Sequence, residues 1–264
     1  KEQIVEGVRI HRSKLWFAYK YYLKFNPGIA FRHLKYDLDV LHVQSFGFFF
    51  QDVAVILRRL FTGTKLINTP HGPFMALDKY SFLPSVFRAL YVAFEYPVNM
   101  LYHNVVQVNP EQHKWMVKYG VRKNAIKFIP NTIPDNVFDK AKGSLLKKLK
   151  LEGKFVIGYL GRVQKYKGLE QVVRVLPDLV KVNPNVVFLA MGGEVDGEYE
   201  RLKGIAKSLG VSKNLVIAGR ISEDEKLSGL DCSEVFVLPS EWEAFGIVLI
   251  EAMARKCAVV STKT

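Results

Sequence analysis

The sequence predicts an α/β chain in two domains, with parallel sheets and helices on both faces. Three observations carry this. From Phe155 onward, short runs rich in Val, Ile and Leu alternate with stretches of helical periodicity, the pattern of strand–helix–strand units. A looser version of the same alternation fills the first half. The 264 residues are enough for two such domains, each with its own core.

In chain order, residues 8–11 close a strand. Residues 13–25 are basic and aromatic. At helical spacing Leu15, Trp16, Tyr19, Tyr22 and Leu23 share one face, and Lys14, Lys20 and Lys24 lie elsewhere. This predicts an amphipathic helix, suited to a lipid headgroup layer or to a core with a solvated lysine edge. Residues 38–43 and 66–68 are strands. Residues 82–102 are apolar but hold Arg88 and Glu95 and are interrupted by Pro84 and Pro97, so they predict one or two buried helices and not a membrane span. Residues 105–108 form a strand, 110–119 a helix and 127–129 a closing strand. Residues 134–153 are a polar, lysine-rich connection with a short helix. Strands then follow at 155–160, 186–190, 215–218, 234–238 and 258–261, with a helix at 169–180. The domains are therefore 1–135 and 154–264, with a linker at 136–153.

The chemistry concentrates in a few segments. Residues 240–254 place two carboxylates, Glu243 and Glu251, on either side of Phe245, Gly246, Ile247 and an apolar run. A strand precedes them, and a helix follows with Leu249, Ile250, Met253 and Ala254 on one face. The N–H groups of a helix start bind anionic oxygens, glycine lets a backbone come close, and a carboxylate accepts hydrogen bonds from sugar hydroxyls. Upstream, the strand at 155–160 runs into Gly161, Arg162 and then Lys167-Gly168. A third segment, residues 65–72, ends its strand in His71-Gly72; histidine donates hydrogen bonds and titrates near neutrality.

These segments resemble the retaining glycosyltransferases of family 4, which have the GT-B fold. Seven residues separate Glu243 from Glu251 and Phe-Gly follows the first acid, as in the family's paired-glutamate signature. The Arg162–Lys167 loop and His71-Gly72 resemble two further family motifs. Residues 127–135 resemble the family's domain-boundary segment, although Thr132 replaces a glycine and Asp135 matches only with a one-residue shift.

The resemblance implies two Rossmann-like domains whose parallel sheets face each other across a cleft. It implies a sugar moved from a nucleotide-sugar donor to an acceptor hydroxyl with retention, by same-face attack. In this reading Arg162 and Lys167 hold the diphosphate and stabilise the charge that builds on the leaving group. Glu243 and the backbone of Phe245, Gly246 and Ile247 hold the donor sugar, Glu251 the ribose hydroxyls, and His71 lines the reaction centre. Gly161, Gly193 and Ile221 are walls of the donor site. Neither metal nor cofactor is implied, the nucleotide-sugar being substrate. His42 resembles a family strand residue and is read as structural, as are His11, His33, His103 and His113. The family would have a strand and a glycine-rich loop before Lys1 and further units after Thr264, so the sequence reads as the middle of a longer protein.

Composition sets the remaining bounds. Cys232 and Cys257 are too few for a disulfide framework and match no metal-ligand spacing. Formal net charge is +13, and residues 1–150 hold 23 Lys+Arg against 10 Asp+Glu, whereas residues 151–264 hold 15 of each. The excess on the acceptor side points to an anionic partner. An acceptor on a lipid-linked phosphate comes first, an anionic glycan second, with an anionic membrane surface beside them. Nucleic acid is not expected, and the location expected is the cytoplasm, peripheral on the membrane's cytoplasmic face. The alternative is a non-catalytic basic module that binds membrane or nucleic acid and carries a degenerate donor domain. A phosphorylase or epimerase on the same fold ranks below both.

Overall fold

The computed structural model describes residues 2–19, 23–71, 82–143 and 145–263. The chain divides into two compact units, Lys1–Pro130 and Asn131–Thr264.

The first unit opens with two antiparallel hairpins, β1 (Glu2–Val5) with β2 (Val8–His11) and β3 (Phe17–Tyr19) with β4 (Leu23–Phe25). Then come α1 (Pro27–Arg32), β5 (Val40–Val43), α2 (Phe49–Phe61), β6 (Lys65–Asn68), α3 (Phe82–Asn99), β7 (Asn104–Gln107), α4 (Gln112–Lys118) and β8 (Ile126–Phe128). Strands β5-β6-β7-β8 form one parallel sheet in that order. Its core is built from Val43, Val55, Leu66, Val105 and Met116.

Two expectations are corrected here. The helix expected over residues 13–25 is absent: Phe17 pairs with Phe25 across β3 and β4, and the Trp16 N–H donates to the Phe25 carbonyl at 3.0 Å. Aromatic residues favour strands over helices, and the Phe25 ring packs edge-on against Phe50 of α2 with centroids 5.2 Å apart. Lys20 and Tyr22 lie outside the described residues. The apolar stretch from Phe82 is a single helix and is not fully buried: Leu90, Phe94 and Tyr96 are exposed, while Glu95, Val98 and Asn99 are buried. Among the described residues no helix is long and apolar enough to cross a membrane.

Between α2 and α3 lies a buried acid pair. Asp52 is 3 % exposed and Glu95 is 1 % exposed. The Tyr91 hydroxyl donates to Asp52 Oδ2. Burial pushes the Asp52 carboxyl up to about 7, against the Tyr91 bond that lowers it. Burial, and then the neighbouring Asp52, push Glu95 up to about 8.

The second unit holds α5 (Leu145–Lys148), β9 (Phe155–Leu160), α6 (Leu169–Val182), β10 (Val186–Met191), α7 (Glu198–Ser208), β11 (Leu215–Gly219), α8 (Glu223–Asp231), β12 (Val235–Leu238), α9 (Ile247–Ala254) and β13 (Ala258–Ser261). One parallel sheet runs β11-β10-β9-β12-β13. Every residue of β10 is buried, the signature of a central strand covered on both faces. Phe188, Leu189, Leu176, Leu202 and Phe236 anchor the core. A capping box starts α8: Ser222 Oγ accepts from the Glu225 N–H at 3.2 Å, and Glu225 Oε2 accepts from the Ser222 N–H at 2.9 Å. The winding direction reverses beside β9, with β10 and β11 on one side and β12 and β13 on the other. In such sheets the crevice outside the carboxyl ends at the reversal is where ligands sit.

Candidate functional site

The reversal point is where the sequence placed most of its candidates. Arg162 and Lys167 follow the carboxyl end of β9; Ser240 and Glu243 follow that of β12. The two loops are stitched together. The Glu241 N–H donates to the Tyr166 carbonyl at 2.8 Å. Gly168 has φ +71°, and a Cβ there would lie 2.1 Å from the Pro239 carbonyl oxygen, so only glycine permits the approach.

The structure brings Lys167 and Glu243 into an ion pair, with both side chains less than one-fifth exposed. The Ser240 hydroxyl, fully buried, donates to Glu243 Oε1 at 2.9 Å. Arg162 has no carboxylate partner among the described residues; its guanidinium reaches only the Tyr166 hydroxyl, at 3.4 Å. The Tyr159 hydroxyl donates to the Arg162 carbonyl at 2.8 Å and holds the loop. Burial, reinforced by Glu243, pushes the Tyr159 phenol well above its ordinary range, so it stays a donor.

Phe245, Gly246 and Ile247 form the entry to α9, with Gly246 left-handed at φ +76°. Glu251 sits on α9, 7 % exposed, and accepts from Lys226 Nζ at 2.7 Å. Lys226 also pairs with Glu223. Burial lowers the Lys226 ammonium, but the two carboxylates outweigh it and leave its pKa above the ordinary value.

The remaining walls are ends of neighbouring strands. The Gly161 N–H donates to the Met191 carbonyl at 2.9 Å, and the Gly192 N–H to the Gly219 carbonyl at 2.7 Å. Gly193 accepts from the Val163 N–H at 2.9 Å. Ile221 follows β11 and is partly buried. Gly161, Gly193 and Ile221 thus lie along one sheet edge with Arg162.

His71 belongs to the first unit, at the carboxyl end of β6; Gly72 lies outside the described residues. His71 is exposed and its Nε2 donates to Gln44 Oε1 at 3.1 Å. Thr69 Oγ1 lies 2.8 Å and Gln44 Nε2 3.4 Å from His42 Nε2. His42, read as structural, is therefore coupled to His71 through Gln44.

Ser240, Lys226 and Gln44 carry no motif and were not singled out by the sequence; the adjacency of Ser240 to Glu243 was the one available signal. Among the described residues no group of three or more His, Cys, Asp or Glu is arranged to hold a metal ion. A pocket of about 760 Å³ in the first unit, lined by Tyr36, Asp39, Arg58, Thr64 and Lys65, contains none of the candidate residues. It lies toward the amino ends of β5 and β6, the edge opposite His71.

Two family models cover nearly the whole chain: Glycosyltransferase Family 4 over residues 1–137 and Glycosyl transferases group 1 over residues 143–264. The chain belongs to the group 1, family 4 glycosyltransferases. Mannosylfructose-phosphate synthase of Agrobacterium fabrum is 30% identical over 169 residues, 60% of this chain and 37% of that protein. Phosphatidyl-myo-inositol mannosyltransferase of Mycobacterium tuberculosis is 27% identical over 246 residues, 91% of this chain and 60% of that protein. The match therefore spans less than two-thirds of either relative's length. Anabaena HepE in complex with UDP superposes with a TM-score of 0.72 at 18% identity, covering 89% of this chain and 62% of that one. Sucrose-phosphate synthase from Thermosynechococcus elongatus gives 0.70 at 20% identity, over 87% and 57%. The fold is that of these GT-B glycosyltransferases.

Proposed function

We propose that this chain is part of a retaining glycosyltransferase that moves a sugar from a nucleotide-sugar to an acceptor hydroxyl. The observation that carries the reading is the Arg162, Lys167 and Glu243 group at the winding reversal of the second unit. Fixed positive charge beside a helix entry suits a diphosphate leaving group. Arg162 is free to meet it, and Lys167 has two further N–H donors beyond the one given to Glu243. Glu243, with the entry of α9, holds the donor sugar; Glu251, oriented by Lys226, takes the ribose hydroxyls. His71, whose ring Gln44 and His42 set, takes the role of a hydrogen-bond donor to a sugar hydroxyl. UDP in the HepE structure is consistent with such a donor.

The acceptor is anionic, on a lipid-linked phosphate before a free glycan. The support is the charge excess confined to residues 1–150. The same excess would draw the protein to an anionic membrane face in the cytoplasm.

The test is thermal stabilisation of the full-length protein by UDP-, GDP- and ADP-linked sugars, beside Arg162→Ala and Glu251→Ala. One nucleotide class should stabilise the wild type and neither variant. No stabilisation by any member would overturn the donor reading and favour a basic binding module.

A further inference from the structure

Three carboxylates of the second unit use both oxygens to hold arginines. Glu198 Oε1 and Oε2 accept from Arg201 at 2.6 and 2.8 Å. Glu170 divides its oxygens between Arg174 and Arg201, and Asp231 turns both to Arg255. Glu243 is held differently. Its Oε1 accepts twice, from Lys167 Nζ and from the Ser240 hydroxyl at 2.9 Å. Its Oε2 accepts from none of the described residues, and it is not sealed from solvent.

Ser240 is fully buried, and its hydroxyl has Glu243 as its one partner among the described residues. Its backbone is held on both sides. The Ser240 carbonyl accepts from the Thr262 hydroxyl, just beyond β13. On the next residue, the Glu241 N–H donates to the Tyr166 carbonyl at 2.8 Å. Lys167 alone would not fix the carboxylate, because an ammonium is a compact charge on a flexible stem and meets either oxygen equally well. The short serine side chain on a pinned backbone supplies the second point, and with it the two oxygens become different.

We propose that Ser240 is the positioning residue of the donor-sugar contact: with Lys167 it saturates Glu243 Oε1 and leaves Oε2 as the one acceptor offered to the ligand. This rests on the donor-site reading above. An ionised carboxylate oxygen accepts and cannot donate, so the group it meets is a sugar hydroxyl. Ser240 itself, being buried, touches no ligand. It acts through Glu243 on the sugar, and the diphosphate contacts of Arg162 do not pass through it.

The experiment is calorimetric titration of the full-length protein with three pairs of ligands: UDP and UDP-glucose, GDP and GDP-mannose, ADP and ADP-glucose. Melting temperatures are recorded for each variant. In whichever pair the wild type binds, Ser240→Ala should weaken the nucleotide-sugar about tenfold and leave the nucleoside diphosphate unchanged. Ser240→Cys, close to serine in volume but a weak donor, should give the same split without leaving a cavity. Lys167→Met, which removes a diphosphate contact as well, should weaken both members of the pair. The proposal is overturned if the two Ser240 variants weaken both members alike, or weaken neither, whatever happens to the melting temperature. Failure of the wild type to bind any of the six ligands would instead bring down the donor-site reading on which it stands.

Discussion

At the scale of single residues, the candidate site holds two kinds of cation, and they should fail differently. Arg162 has no carboxylate partner among the described residues, so Arg162→Ala should leave thermal stability nearly unchanged. A charge-assisted hydrogen bond is worth about 1.5–3 kcal/mol, so kcat/KM should fall about ten- to a hundredfold. Lys167 is paired with a largely buried Glu243, and Lys167→Met leaves that carboxylate with only Ser240 for a partner among the described residues. It should lose about 1–3 kcal/mol of stability as well as turnover. The double variant Lys167→Met with Glu243→Gln should recover stability in urea titration without recovering turnover. The Asp52–Glu95 pair yields a prediction of opposite pH sense from ordinary carboxylates. Both folded-state pKa values are raised, to about 7 and about 8. The stability they contribute is therefore complete below the unfolded carboxyl range near pH 4 and is lost as pH rises through 7 to 8. The urea midpoint should fall between pH 5 and pH 8, and Asp52→Asn with Glu95→Gln should flatten that fall. A wild-type midpoint that rises over this range would contradict the neutral buried pair.

Among elements, Gly168 tests whether loop geometry serves the site. Gly168→Ala adds a Cβ 2.1 Å from the Pro239 oxygen at φ +71°. The clash lies between the two loops that carry Lys167 and Glu243, so melting temperature and nucleotide affinity should drop together. The strands of the second unit were legible in the sequence to within a residue, because each reads as a short apolar run bounded by turn residues, whether buried throughout as in β10 or largely exposed as in β13. Segments 155–160 and 258–261 coincide with β9 and β13. Residues 13–25 were not legible, because helical spacing and an aromatic-rich hairpin give overlapping patterns over so short a run. What decided between them was the cross-strand Phe17–Phe25 pairing and the contact of Phe25 with Phe50. The motifs singled out Arg162, Lys167, Glu243 and Glu251 as candidates. They did not show that Glu251 is held by Lys226 from α8, a partner 25 residues away that only the fold brings near.

For the whole molecule, the two units carry separate cores and unequal charge. Ligands of the two units should therefore be separable by probe. Trp242 is 45 % exposed and adjoins Glu243. In a variant with Trp16→Phe and Trp115→Phe, the remaining emission should respond to nucleoside diphosphates. Binding to anionic vesicles, driven by the basic first unit, should leave that emission unchanged and fade as salt rises.

The Lys167–Glu243 pair has one more consequence, for what the site leaves unbound. A site lined with bare cations would collect whatever small anion is most abundant. Here the lysine already has its counter-ion within the fold, which offsets its charge while leaving two N–H donors to share. A monovalent or weakly held anion gains little from so balanced a cation. In the donor reading proposed above, a diphosphate has charge and oxygens enough to meet Arg162 as well, with Glu243 still in place. The ion pair would thus act as a threshold, keeping the site vacant in the presence of orthophosphate and chloride until a ligand of sufficient charge arrives.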